Sequence, residues 1–307
     1  MNAKISNPAQ VVSVRRYTLT EGPEAGLDVL DCDNGKLRFL VNVSRACDIM
    51  QLYHEGQNMS FISKNGFINN SDTSFMERFE GGMLYTCGLD SLGAREGYPM
   101  HGSLHNTVSR VLSARADTES GIVIEAEIRN TALFGKNLVL KRKITSAAGE
   151  ESLLVEDELC NEGYATEGYC LLYHVNLGYP MLDAGGRIEA DVAVCDPRDG
   201  WATECEATRF AIKQPVPTEP ETCYFLTLRQ PQIRYVNPAL GKSFTLSYSG
   251  DTLPAFIEWK TMASGDYALG FEPCTCGLDD RFAYTELAAG ETVKFFVKME
   301  MRGADRA

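Results

Sequence analysis

The chain has 307 residues, with 29 Lys and Arg against 42 Asp and Glu, a formal net charge of −13. That balance excludes a nucleic-acid binder, because counterion release needs clustered Lys and Arg, and it repels an anionic membrane surface equally. Apolar residues at 44% and charged residues at 23% are the composition of an ordinary soluble globular chain, so a small molecule or another protein is the expected partner.

The opening segment, residues 1–8, is polar, and no apolar run approaches the ~18 residues of a membrane span, which predicts a cytoplasmic protein without a signal peptide or membrane anchor. Residues 1–20 read as an N-terminal extension or a first strand. Apolar spacing approaches a helix only over 8–14 and 72–79, and for barely a turn. His54, in Leu52-Tyr53-His54-Glu55-Gly56, follows a strand-like run and reads as a structural histidine. His101 and His105 have the i, i+4 spacing of a zinc-binding helix, but Pro99 and Gly102 oppose a helix there, and the Glu that a metalloprotease motif carries after its first His is absent. His101 is therefore expected in a loop or strand end.

Period-two stretches rich in β-branched and aromatic residues follow at 121–128, 137–144 and 292–301, each bounded by turn residues. Segment 171–180 delivers Tyr173, His174 and Asn176 along an apolar strand and then turns at Gly178 and Pro180, placing polar groups at the rim of a sheet. The Pro-rich stretch 214–221 reads as an extended surface connection. In 267–275, Glu272 interrupts an apolar strand just before Pro273, which predicts a desolvated carboxyl of raised pKa at a strand end. Imidazole is the side chain best suited to move a proton near neutral pH. Trp259 and Tyr173 beside such groups suit a sugar, whose C–H faces pack on rings while its hydroxyls take hydrogen bonds. Asp90 and Glu258 are weaker carboxylate candidates.

Strands without long intervening helices point to an all-β fold, antiparallel sheets packed as a large twisted sandwich, in a single domain spanning 1–307. Neither a phosphate-cradling Gly-rich loop nor a fixed repeat is present. The ten Cys are scattered and read as reduced core residues, and Cys274-Thr275-Cys276 lacks the second pair that a zinc site requires.

Four stretches together resemble the aldose 1-epimerase (galactose mutarotase-like) superfamily, and most closely its uncharacterised aldose 1-epimerase-like branch. They are Gly81-Gly82 leading to Thr86-Cys87-Gly88-Leu89-Asp90, His101-Gly102 followed by Asn106-Thr107, Asn161 leading into Tyr173-His174-Val175-Asn176, and Leu269-Gly270-Phe271-Glu272-Pro273. The resemblance implies a β-sandwich with one sugar-binding cleft, needing no metal, nucleotide or flavin. It makes Glu272 the general base, His174 the general acid and His101 a second imidazole on the sugar. Asp90, Asn176, Arg45, Lys260 and Arg281 would be further substrate-binding groups. The implied reaction opens and recloses a cyclic aldose to exchange its α and β anomers, with Glu272 and His174 expected on opposite sides of the ring, several ångströms apart. Ser103 stands where the branch usually has Arg, which bears on specificity. Two alternatives stay open: a non-catalytic carbohydrate-binding protein, and an isomerase or lyase of acidic or phosphorylated sugars, which would require Arg or Lys facing the cleft. Exposed sheet edges would allow a homodimer.

Overall fold

Three antiparallel sheets make up the architecture in the computed structural model, which describes residues 3–70 and 72–304. Eight strands form the largest, in the order Arg187–Glu189, Gln232–Asn237, Lys242–Tyr248, Thr292–Gly303, Ser152–Asn161, Asn137–Ser146, Gly121–Thr131 and Arg110–Asp117. The second runs Val192–Pro197, Thr222–Leu228, Ala255–Thr261, Ala268–Cys274, Glu167–Gly178 and Thr285–Leu287, with Leu84–Leu89 also paired to Glu167–Gly178. A five-stranded sheet from Ser13–Thr18 to Gln57–Asn58 completes the sandwich. The fold is all-β, as the period-two stretches indicate: 121–128, 137–144 and 292–301 all lie within strands of the eight-stranded sheet.

The two near-helical stretches shrink to short turns. Pro8–Gln10 is a 3₁₀ turn capped by the Asn7 side chain, and Phe75–Arg78 is a single helical turn. The latter starts where Ser74 donates its backbone N–H and hydroxyl to Glu77 Oε2, the Ser-x-x-Glu device that satisfies a helix start. The first strand, Ser13–Thr18, lies within the N-terminal 1–20. Among the described residues no helix is long and apolar enough to cross a membrane. All ten cysteines are free thiols, and seven of them are buried.

Strand alternation splits the seven-stranded sheet into two faces. Tyr173, Val175, Leu226, Phe256 and Phe271 enter the main core shared with the other two sheets, where Phe39, Ile49, Leu140 and Val297 lie. Tyr85, Cys87, Leu172, Phe225, Ile257 and Cys274 point to the opposite face and form a second apolar cluster under the loops. Tyr173 therefore cannot reach the ligand side. Its hydroxyl donates to Asp157 within the core at 2.7 Å.

Between the sheets lies Arg142, with a fully buried side chain. Its guanidinium donates to Asp157 through Nε at 2.9 Å and Nη2 at 2.7 Å, to Asp48 Oδ1 at 2.6 Å, to the Ala46 carbonyl at 2.9 Å and to Thr86 Oγ1 at 3.0 Å. Asp48 also accepts from Thr86 and pairs with His105 Nδ1 at 2.9 Å, which holds its carboxyl below the usual range against the cost of burial. His54 is likewise structural, buried between Glu151 at 3.1 Å and Lys242 at 2.9 Å. Removing one partner of a buried charge cluster strands the others without solvent. Arg142→Ala is expected to lower unfolding free energy by about 3–5 kcal/mol, measured by chemical denaturation.

Candidate active site

The register of four neighbouring strands builds the site. Val175 pairs with Phe271 and His174 with Tyr85, while Ile257 pairs with Glu272 and Trp259 with Gly270. Tyr85, His174, Glu272 and Ile257 consequently stand in one row on the same face, with Asn176, Gly270 and Trp259 in the next. The ladder between Glu167–Gly178 and Ala268–Cys274 pairs Val175 with Phe271 and then Leu172 with Cys274, with no pair between them. Pro273 falls in this gap and has no N–H to offer. Both acid–base candidates thus sit inside strands and not at a sheet rim or strand end, as the turn residues had suggested: Gly178 and Cys274 are the ends, and the Pro marks a ladder break in mid-strand.

His174 and Glu272 line a cavity of about 270 Å³. His174 Nε2 lies 3.2 Å from Glu272 Oε1, though that oxygen has no aligned hydrogen-bond donor. The two groups are adjacent, a correction to the expected placement on opposite sides of a sugar ring. Aromatic rings surround them. Trp259 stands edge-on to His174 at 5.3 Å, Phe79 lies 5.6 Å from His174, and Phe75 lies 5.2 Å from His101. His101 and His174 are nearly perpendicular at 6.2 Å.

Burial sets the protonation of these groups. Desolvation pushes Glu272 well above the usual carboxyl range, and the nearby Glu221 charge adds to the rise. It also drives His174 down to about 3, with His101 as a further lowering influence and Asn176 as a partial offset. His101 falls to about 4, again through desolvation. In the neutral state the pair holds one transferable proton, on Glu272.

His101 is held by its backbone. It occupies the left-handed region at φ 61°, unusual for a residue other than glycine. Its N–H donates to the Gly93 carbonyl, its own carbonyl accepts from Gly88 N–H, both at 3.0 Å, and its Nδ1 accepts from Gly93 N–H at 3.4 Å. That leaves Nε2 as the protonated nitrogen of the neutral ring. A Cβ on Gly102 would lie 2.5 Å from the Gly88 carbonyl and 2.7 Å from Asp90 Oδ1. Two of the sequence stretches, Gly88-Leu89-Asp90 and His101-Gly102-Ser103, therefore pack directly on one another.

The remaining candidates do not line the cavity. Asp90 accepts from the Ser103 N–H at 2.9 Å and its hydroxyl at 2.6 Å, so it anchors the His101 loop, and Ser103 serves that anchor. Asn176 shares the face of His174 but is fully buried, donating to the carbonyls of Gly82 and His174. Arg45 is buried elsewhere, donating to Asn106 Oδ1 at 2.5 Å and the Ile68 carbonyl at 2.9 Å. Lys260 and Glu258 alternate with Trp259 and point to the opposite face, where Lys260 Nζ donates to the Arg209 carbonyl and Glu258 pairs with Arg209, both at 2.6 Å. Arg281 is paired with Asp196 and Asp280 on the surface and stacks over Phe225.

The cation that does line the cavity is Arg198, which the sequence reading passed over. It donates to Glu221 Oε1 at 2.8 Å, and Glu221 Oε2 accepts from Trp259 Nε1 at 2.7 Å. Glu221 closes the Pro-rich connection, so that surface segment supplies a cavity wall. Neither residue belongs to a recognisable motif; only the fold brings them to Trp259. Among the described residues no group of three or more His, Cys, Asp or Glu is arranged to hold a metal ion. A larger groove of about 780 Å³, between 156–158 and 249–254, has no imidazole or thiol in its walls.

Gly270 makes room for the arrangement. A Cβ there would lie 3.0 Å from Glu272 Oε1, His174 Cε1 and Trp259 Cε3 alike. Gly270→Ala is expected to displace Trp259 and misalign the pair while the sheet persists. Near-UV circular dichroism should register the altered Trp environment with far-UV signal unchanged.

The sequence profile of a family described as a domain of unknown function (DUF4432) matches residues 24–297. No curated protein matches the sequence. Among solved structures, a candidate aldose 1-epimerase from Klebsiella pneumoniae superposes with a TM-score of 0.84 at 19% identity, covering 96% of this chain and 84% of the other. A galactose mutarotase-like protein from Clostridium acetobutylicum gives 0.69 at 12% identity, covering 96% and 99%. One from Lactobacillus casei gives 0.62 at 16% identity, covering 89% and 100%. At these identities the likeness establishes a shared fold.

Proposed function

Because the chain belongs to the DUF4432 family and has the galactose mutarotase-like fold, we propose that it interconverts the α and β anomers of a neutral aldose by acid–base exchange between Glu272 and His174. The observation that carries this reading is the 3.2 Å contact of a desolvated carboxyl and a desolvated imidazole inside an aromatic-lined cavity. Anomeric exchange asks for that combination. One group takes the proton of the anomeric hydroxyl while the other protonates the ring oxygen, and both oxygens are bonded to the same carbon. Two adjacent side chains can therefore serve both from one side of the sugar.

In the neutral arrangement, His174 Nε2 accepts the proton of the anomeric hydroxyl as the bond from C1 to the ring oxygen breaks. Glu272 delivers its proton to that ring oxygen. The open aldehyde rotates about C1–C2, and the hydroxyl re-adds to the other carbonyl face, returning its proton to Glu272 while His174 returns the other to the new anomeric oxygen. Atoms and protons balance over the cycle. Begun from the ion-pair tautomer, the same cycle runs with Glu272 as base and His174 as acid, the assignment implied by the resemblance. In this reading His101 Nε2–H donates to a sugar oxygen, and Asp90 and Asn176 position the two imidazoles.

Charge favours a neutral sugar over a phosphorylated or acidic one. Of the cations that kept the anionic alternative open, Arg45, Lys260 and Arg281 all have other partners, and Arg198 is already neutralised by Glu221. A phosphate would also meet the carboxylates of Glu221 and Asp279 in the cavity wall. A non-catalytic binding role leaves the close His174–Glu272 contact without a purpose.

Anomer exchange over a panel of aldoses, followed by NMR, tests the reading. Glu272→Gln and His174→Asn should each lower kcat/KM by roughly 10²–10⁴, whereas no enzyme-dependent exchange of any aldose would refute it. The pH profile is a second check. Because His174 is lowered to about 3, activity should hold through the pH 5–7 interval, with no acid limb near 6.5, the ordinary imidazole value. It should fall only when His174 gains a proton in stronger acid or Glu272 loses its own in alkali, with His101, Glu221, Arg198, Cys223 and Asp279 as the other charged or titratable groups facing the pair.

A further inference from the structure

The cavity that holds the acid–base pair is poor in hydrogen-bonding groups for a sugar site. Its walls are mostly apolar, with Phe75, Phe79, Met100, Ile257, Trp259 and Leu278 all lining it. The polar lining groups are His101, His174, Arg198, Glu221, Glu272 and Asp279. Several are already committed. Arg198 and Glu221 bond each other, Glu221 also holds the Trp259 indole, and His101 Nδ1 accepts from Gly93. Under the proposed function, His174 and Glu272 are taken by the anomeric and ring oxygens.

What remains for the other hydroxyls is His101 Nε2, Asp279 and the outer edge of the Arg198–Glu221 pair. A hexose has four further hydroxyls, and every one set against Phe75, Met100, Ile257 or Leu278 would lose its water without gaining a partner. A sugar that carries hydrogen or methyl in place of such a hydroxyl loses nothing there and gains apolar contact. Arg198 spends Nη2 on Glu221 and Nε on Asp199, and it is Glu221 that holds Trp259.

We infer that the substrate is a deoxy aldose, with its deoxygenated carbon against the Phe75, Met100, Ile257 and Leu278 wall. The inference rests on the proposed function for the identity of the site, but it makes a claim about the ligand that can be read separately. An apolar pocket discriminates against one added hydroxyl only modestly, by about 10²-fold at most.

Matched sugar pairs that differ by a single hydroxyl test it. Anomer exchange catalysed by the full chain is compared for D-galactose against 6-deoxy-D-galactose, L-mannose against L-rhamnose, and D-glucose against 2-deoxy- and 6-deoxy-D-glucose, with D-glucose 6-phosphate as the anionic arm. At least one deoxy sugar should exceed its parent by about 10- to 100-fold in kcat/KM. Parents equal to or faster than every deoxy partner would overturn the inference while leaving anomer exchange standing. Binding of the corresponding methyl glycosides, which cannot open, is measured in parallel by ligand-observed NMR. If no exchange of any aldose is catalysed, the binding arm decides: a deoxy glycoside bound more tightly than its parent supports the inference, and the absence of any such preference refutes it. Met100→Gln, which adds an amide to the apolar wall, should reduce the deoxy preference.

Discussion

The buried guanidinium of Arg142 is the constraint on which the rest of the structure depends. It sits on the eight-stranded sheet and reaches Asp48 and Ala46 at the five-stranded sheet and Thr86 on the seven-stranded one, so a single cation ties all three together. All five of its N–H donors are spent, and Asp157 and Asp48 balance its charge. A buried cluster of this kind stabilises less than its count of bonds suggests, since desolvation offsets much of the attraction, but losing any one member leaves an uncompensated charge in the core. Its geometry links the three sheets in the register that brings Ala46, Asp48 and Thr86 to one guanidinium.

That register reaches the candidate site through a short series of contacts. Asp48 holds His105, whose ring stacks on Tyr85 at 3.6 Å, and Tyr85 packs edge-on against Phe75 and Phe79 at the cavity wall. Tyr85 is also the cross-strand partner of His174. The polar cluster reaches the core face of the seven-stranded sheet through Thr86 and Tyr173, and the acid–base pair lies on the opposite face of that sheet. The first satisfies its charges with one another; the second keeps two ionisable groups neutral by excluding water from them. The same burial that raises Glu272 and lowers His174 makes the cavity apolar, and so limits which sugars it can hold.

Much of this was legible in the sequence, for reasons that can be given residue by residue. Period-two patterning indicated the all-β class, and the order of four short stretches pointed to His101, His174 and Glu272, which do line one cavity. Pro99 and Gly102 correctly argued against a helix joining His101 to His105, and the two histidines go to different places. What the sequence could not convey was facing. Lys260 and Tyr173 are neighbours of cavity residues in sequence, and alternation along their strands turns both away. Arg45 and Arg281 looked available because their partners, the Asn106 amide and the Asp196 carboxylate, are remote in the chain. Arg198 and Glu221 escaped notice for the converse reason, since neither sits in a motif and only sheet packing carries them to Trp259. Pro273 was read as the end of a strand, whereas it marks a gap inside one.

Burial favours His174 and Glu272 as a neutral pair sharing one proton, and the ¹⁵N NMR titration of the His174 imidazole measures this directly. One protonated and one unprotonated ring nitrogen are expected at neutral pH, persisting toward the depressed value of about 3. An imidazolium at neutral pH would contradict it.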